Sequence, residues 1–296
     1  MSTRRADPHD VPPGEHGWAL VSVLWVVTAL TLMAAATEEL TTSAYRIERR
    51  ALDRAQTEAA LDAAMSRSAL AIEAPDIADR WRVDGVPQSF TFDGKTITVT
   101  IQDELGRFDL NAMDGSMLGA LFRAENLPLD ESSKLVDRIL DWRGSADLHR
   151  LHGATTEDYA AAGLPYGPRH GPFQSVDELR LVLGMPPDLF AKIRPALTVY
   201  SKRPMVDPSI ATPEALLALY GGDQQKVDDA LGLRNGSAAQ PGESSASTGV
   251  ADISSIAGRA FSLSATTSFE GHALTRSSVI ELTGDTKRPY LVLAWR

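Results

Sequence analysis

Residues 14–40 read GEHGWALVSVLWVVTALTLMAAATEEL. Between Trp18 and Ala36 no residue carries a charge. As a helix rising about 1.5 Å per residue, this run spans roughly 28 Å, close to the hydrocarbon thickness of a bilayer. Arg4 and Arg5 precede it and predict a cytoplasmic N-terminus, with the remainder on the far side of the membrane. Charge returns at Glu38 and Glu39, and no turn residue intervenes. The next stretch, TEELTTSAYRIERRALDRAQTEAALDAAMSRSALAIEAP, keeps a helical period: Leu40, Ala44, Ile47, Ala51, Ala55 and Ala59 recur at spacings of three or four. No glycine or proline stands between Trp18 and Pro75. The pattern therefore predicts one continuous helix of roughly fifty residues, half in lipid and half in water. A secretory signal cleaved after Ala34-Ala35-Ala36 would instead lead into a loose segment. The unbroken continuation favours a retained anchor.

The chain has 296 residues, enough for one large domain or two modest ones with a proper core. Its formal charge of −10 disfavours nonspecific nucleic-acid binding, which needs cations to displace counterions. With no cysteine, disulfides, thiolate metal sites and cysteine nucleophiles are excluded. No G-x-S-x-G elbow, phosphate-binding G-x-x-x-x-G-K-[ST] loop or H-E-x-x-H pair occurs, so the expectation is a protein that is not an enzyme.

After Pro75 the period changes. In QSFTFDGKTITVTIQDELGRFDLNAM, Phe90 and Phe92 lead to Asp93-Gly94, and Ile97, Val99 and Ile101 alternate with threonines, the pattern of a hairpin. RAFSLSATTSFEG, ALTRSSVIELTG and RPYLVLAWR, at the other end of the chain, also alternate. Between these β segments the pattern is helical. The fold class expected is α+β: a long N-terminal helix packed on an antiparallel sheet, with a large helical domain inserted in it. The divisions are a leader at 1–17, the membrane helix at 18–36, its continuation at 37–74, first strands at 75–109, the insert at 110–233, a linker at 234–258 and the last strands at 259–296. The linker reading rests on LRNGSAAQPGESSASTGVADISSIAG, rich in glycine, serine and alanine.

A polar leader ending in Gly17 before an apolar helix resembles the N-terminus of type IV pilins and type II secretion pseudopilins. In that family a prepilin peptidase cuts after the glycine, here between Gly17 and Trp18, and the new N-terminus is methylated. Glycine suits a scissile position because it has no side chain to clash. Most pilins carry glutamate at the fifth mature position, where it pairs with a neighbouring subunit's amine. Here that position is Ser22, which matches the K-type minor pseudopilin. DELGRFDLNAM (103–113), LVDRILDWRGSADL (135–148), TEDYAAAGLPYGPRHGPFQSVDELRLVLGM (156–185) and VDPSIATPEALLAL (206–219) resemble blocks of that family in the same order.

The resemblance implies a subunit of the inner membrane with its body in the periplasm. It would assemble with I-type and J-type minor pseudopilins, beside the inner-membrane secretion platform, into the tip of a short fibre. Helix contacts through Leu40, Ala44 and Ile47 would hold it there. It also implies a calcium loop, because some members bind calcium in an acidic loop of the inserted domain; Asp141, Asp147, Glu157 and Asp158 are the oxygen ligands available for it here. His149 and His152 are three apart, a zinc-compatible spacing with no third ligand evident, and read as surface histidines.

SVDELRLVLGMPPDLFAKIRPALTVYS predicts two short helices joined at Gly184, with Ser175 and Glu178 as a capping box. Leu179, Val182 and Leu183 would face Leu189, Phe190 and Ile193. The alternative function is a membrane-anchored helix-hairpin DNA-binding protein, using Lys192, Arg194, Lys202 and Arg203. Against it, Pro186 and Pro187 remove amide donors where phosphate would dock.

Overall fold

The computed structural model describes residues 15–76, 79–145, 150–237 and 256–295, with side chains described for these except at 15–17 and 37–44. The predicted continuous helix is present as α1, Glu15–Ile72. The chain divides into two compact units, Met1–Glu58 and Ala59–Arg296.

In the first unit, α1 is exposed along Trp18–Ala36. In the second, the final turns of α1 bury Leu61, Ala64, Met65, Ala69 and Ile72. They share one core with Ile97, Val99 and Ile101, and with Phe261, Leu263 and Leu282. The i, i+3, i+4 spacing places these helix residues on one stripe, and burying each large aliphatic side chain contributes about 1.5–3 kcal/mol.

Five strands form the sheet in the order β1-β2-β5-β6-β7, every neighbouring pair antiparallel. They are β1 (Gln88–Phe92), β2 (Lys95–Asp103), β5 (Ala260–Phe269), β6 (His272–Asp285) and β7 (Arg288–Trp295). Asp93 and Gly94, at φ 48° and 71°, make the β1–β2 turn. Positive φ at both central residues matches the right-handed twist of a tight hairpin. The adjacent strands β2 and β5 are far apart in sequence, pairing Asp103 with Phe261. The helical region is inserted between them, as expected.

That region holds α2 (Gly115–Ala124), α3 (Leu129–Arg143), α4 (Thr156–Ala161), α5 (Pro187–Ile193), α6 (Pro213–Leu219) and α7 (Gln224–Ser237). Its separate core is built from residues such as Phe122, Ile139, Trp142, Tyr159, Leu179 and Leu216. A short parallel pair, β3 (Phe108–Asp109) with β4 (Leu197–Thr198), was not expected. Two residues per strand leave no alternation to read.

Three expectations need correction. The segment Val176–Leu181 is a 3-10 helix, and Ser175 makes no side-chain cap. The Glu178 carboxylate is instead occupied by Gln174 N–H at 2.8 Å, Trp142 Nε1 at 3.2 Å and Arg169 Nη1 at 3.0 Å. The inward residues are nonetheless as expected, with Leu179, Val182, Leu189, Phe190 and Ile193 buried and Gly184 at φ 82°. Second, α7 continues to Ser237, so Arg234 belongs to a helix and not to a linker. Its buried guanidinium donates to the carbonyls of Ala211 at 2.9 Å and Pro208 at 2.8 Å. The remainder of the linker, 238–255, lies outside the described residues. Third, the basic patch is neutralised: Lys192 pairs with Glu125 at 3.6 Å, Arg194 with Asp177 at 3.1 Å and Lys202 with Glu281 at 2.8 Å. Three of the four cations proposed for phosphate already have carboxylates.

Candidate assembly site

Along Trp18–Ala36 the mean hydropathy is 2.2. Its polar side chains turn inward on the helix's own backbone. Ser22 Oγ donates to the Trp18 carbonyl at 2.8 Å, Thr28 Oγ1 to Leu24 at 2.7 Å and Thr31 Oγ1 to Val27 at 2.6 Å. A hydroxyl satisfied four residues back needs no partner in lipid, whereas a carboxylate there would. Ser22 thus adds a self-satisfied hydroxyl, and no ionisable group, to this apolar run.

Of the expected packing residues, Ile47 is exposed, together with Tyr45 and Leu52. Leu40 and Ala44 lie on α1, but their side chains are outside those described. Gly17 has helical backbone, and Trp18, beside the expected cut, is exposed.

The segment Asp103–Met113, singled out in the sequence by its acidic, glycine and asparagine residues, joins the sheet to the insert, with Gln102 just before it. Its acidic and amide side chains bond both within the segment and to distant residues. Gln102 Nε2 donates to the Ile210 carbonyl at 2.8 Å. Asp103 is fully buried, accepts Leu105 N–H at 2.9 Å and pairs with Arg259. Burial pushes the Asp103 carboxyl up to about 6, while Arg259 and the Leu105 amide pull it back down. Buried Glu104 accepts from Arg107 Nη1 at 3.0 Å and from the Ser262 hydroxyl. Asp109 accepts the Asn111 and Lys202 amides, each at 2.8 Å. Asn111 exchanges two bonds with the backbone of Phe173, at 2.8 and 3.0 Å. Arg143 donates to the carbonyls of Leu110 and Met113. The sequence marks this segment but not Arg143, Arg259 or Ser262, its partners from elsewhere in the chain. Nothing in their local spacing marks them.

Among the described residues, the candidate calcium ligands Asp141, Glu157 and Asp158 are engaged in protein contacts or exposed. Asp141 is buried, and its carboxylate accepts from Arg150, Nη1 at 2.7 Å and N–H at 3.3 Å. Asp158 forms a capping box with Thr155 on α4, and the Thr155 amide and hydroxyl hold its carboxyl below the usual range. Glu157 is exposed, and Asp147 lies outside the described residues. Among the described residues no group of three acidic or histidine side chains is placed to hold a metal. A carboxylate already neutralised by a guanidinium does not fit a calcium site. His152 is exposed, with its amide on Asp137 at 3.0 Å, and His149 lies outside the described residues.

The arrangement is a helix packed on an antiparallel sheet, with a helical insert between neighbouring strands. Residues 106–202 match the family model for type II secretion system protein K. The chain is similar to type II secretion system protein K of Klebsiella pneumoniae, 30% identical over 203 residues, 61% of each chain. It is likewise similar to that of Pectobacterium carotovorum subsp. carotovorum, 26% identical over 204 residues, 61% of this chain and 62% of the relative. The chain thus spans about three fifths of the length of these curated relatives. Its fold is shared with the crystal structure of the GspK-GspI-GspJ complex from enterotoxigenic Escherichia coli. The TM-score there is 0.56, at 20% identity, covering 82% of this chain and 98% of that one. Over these matched stretches the chain is similar to type II secretion system protein K.

Proposed function

We propose that this chain is a non-enzymatic minor pseudopilin that starts and caps the tip of a type II secretion fibre. Together with I-type and J-type minor pseudopilins, it supports export of folded proteins across the outer membrane. The observation that carries the reading is α1. Its first part is apolar, exposed and free of ionisable side chains from Trp18 to Ala36, and its last turns are built into the core of a protein K fold. In this account prepilin peptidase cuts between Gly17 and Trp18, the new amine is methylated, the N-terminus faces the cytoplasm and the body faces the periplasm. The subunit waits in the inner membrane beside the secretion platform. Ser22, bonded within its own helix, suits a tip subunit with nothing above it to receive a carboxylate.

Assembly through the stripe containing Leu40, Ala44 and Ile47 is tested by Ile47→Asp in the full chain, co-expressed with the I-type and J-type subunits. Ile47 is exposed, so the fold is expected to survive, while recovery of the two subunits falls about tenfold or more, as when a charge is desolvated in an apolar contact. Undiminished recovery would refute the stripe as an interface.

The proposal requires no bound ion. Adding calcium or EDTA to the purified chain is expected to leave its melting temperature within about 1 °C, because tight binding to the folded state would raise it by mass action. A rise of about 5 °C with calcium would instead show that the folded chain binds the ion.

A further inference from the structure

The sheet presents a second face, away from α1. On β5, Phe261, Leu263 and Ala265 enter the core that the last turns of α1 share, so Ser262 and Ser264 point to the opposite side. Register sets Thr100 of β2 beside Ser264, and Ser264 beside Ser277 of β6. Three hydroxyls therefore stand in one row across neighbouring strands. Among the described residues none of these hydroxyls has a hydrogen-bond partner. The insert faces the row with Val176, Pro195, Leu197 and Tyr200, and the space between them is a cavity of about 370 Å³. Sites for small molecules occupy about 300–1,000 Å³.

Glu104 also lines this cavity and is only 1% exposed. Its Oε1 accepts from Arg107 Nη1 at 3.0 Å and from the Ser262 hydroxyl. Its Oε2 has no donor among the described residues. A buried carboxylate oxygen without a donor is costly, so the site favours a molecule that donates to it. Charge narrows the choice. Arg107 is balanced by Glu104, and Arg194, also on the cavity wall, by Asp177 at 3.1 Å. A free anion would meet the Glu104 carboxylate, and a free cation would meet two guanidiniums. A neutral molecule with several hydroxyls avoids both. It donates to Glu104 Oε2, exchanges bonds with the hydroxyl row, and packs its C–H surface on Val176, Pro195 and Leu197.

We propose that this cleft, between the outer face of the sheet and the insert, binds one ring of a neutral saccharide through Glu104, Thr100, Ser264 and Ser277. The site lies wholly within the unit Ala59–Arg296 and does not depend on the assembly role of α1.

The test titrates the full-length chain, in a detergent without a sugar headgroup, with glucose, N-acetylglucosamine and maltose by calorimetry. Saturable binding of at least one is expected. Ser264→Ala with Ser277→Ala weakens it about tenfold, the loss of two neutral hydrogen bonds, and leaves the melting temperature unchanged because neither hydroxyl serves the fold. Ser264→Leu fills the cavity and abolishes binding. Binding of maltose alone assigns the site to a glycan chain, and binding of either single sugar to a free saccharide; each upholds the proposal. No saturable binding of any of the three sugars, or undiminished binding by both variants, would overturn it. So would saturable binding of acetate or ethylammonium that the sugars fail to displace.

Discussion

Gly106→Ala is expected to cost about 3 kcal/mol or more of unfolding free energy, by forced overpacking together with a broken buried hydrogen bond. Gly106 ends the 3-10 turn Glu104–Gly106, which leads from β2 into the insert. A methyl group there would run into the Ile210 carbonyl and the Gln102 side-chain amide. Neither can yield cheaply. The Ile210 carbonyl is backbone and accepts from Gln102 Nε2 at 2.8 Å. The loop carrying it is tied to the same turn by Thr212 N–H to Gly106 at 3.1 Å and Asp207 N–H to Leu105 at 2.9 Å. The added methyl must therefore separate sheet from insert along this seam. Urea unfolding of the full chain in detergent measures the loss. Gly94→Ala is the comparison: it places alanine at φ 71° in open space and is expected to cost only about 1 kcal/mol. Equal losses at the two positions would show that the seam is slack.

Arg259→Met is the second large effect, and it depends on pH. Asp103 is fully buried, and Arg259 is its counter-charge. Methionine keeps much of the packing but leaves the carboxylate alone, at a cost of about 3 kcal/mol near pH 7.5. The sign follows from the raised pKa. Burial lifts Asp103 from 3.8 to about 6, so between those values the folded state holds more protons than the unfolded state. This group's contribution to stability is complete below the unfolded value and is lost as pH rises through about 6. At about 1.36 kcal/mol per pKa unit it amounts to about 3 kcal/mol across the window. Without Arg259 the folded pKa moves higher still. The penalty of the variant is therefore largest near pH 7.5 and shrinks toward about 1 kcal/mol at pH 4.5, where Asp103 is protonated and needs no counter-charge. Asp103→Asn should flatten the pH dependence. A penalty for Arg259→Met that grows on acidification would contradict the assignment.

Features with a local cause could be read from the sequence. The helix α1 follows from an apolar run and a three-to-four repeat with no breaker. The β1–β2 hairpin follows from alternation around Asp93-Gly94, and the last three strands from the same period. The insertion was visible as a change of period between two sets of strands. What escaped were cases in which a distant group competes for a residue with a plausible local role. Ser175 and Glu178 have capping-box spacing, but Trp142 and Arg169 claim the glutamate. Asp141 likewise has a partner that spacing does not mark, Arg150. Arg234 sits in a stretch of flexible composition, yet its guanidinium finds two carbonyls in the Pro208–Ala211 loop. The seam segment Asp103–Met113 was recognised only through its resemblance to a family block. Its strength comes from side chains such as Arg259 that lie more than a hundred residues away.

The proposed role turns on where the chain is cut and whether α1 stays attached to the body. The most direct test is the N-terminal sequence and mass of the mature protein recovered from a cell with a working type II system. The account predicts a membrane-bound product beginning at Trp18 with a methylated amine. A soluble product beginning at Thr37, trimmed after Ala34-Ala35-Ala36, would contradict it.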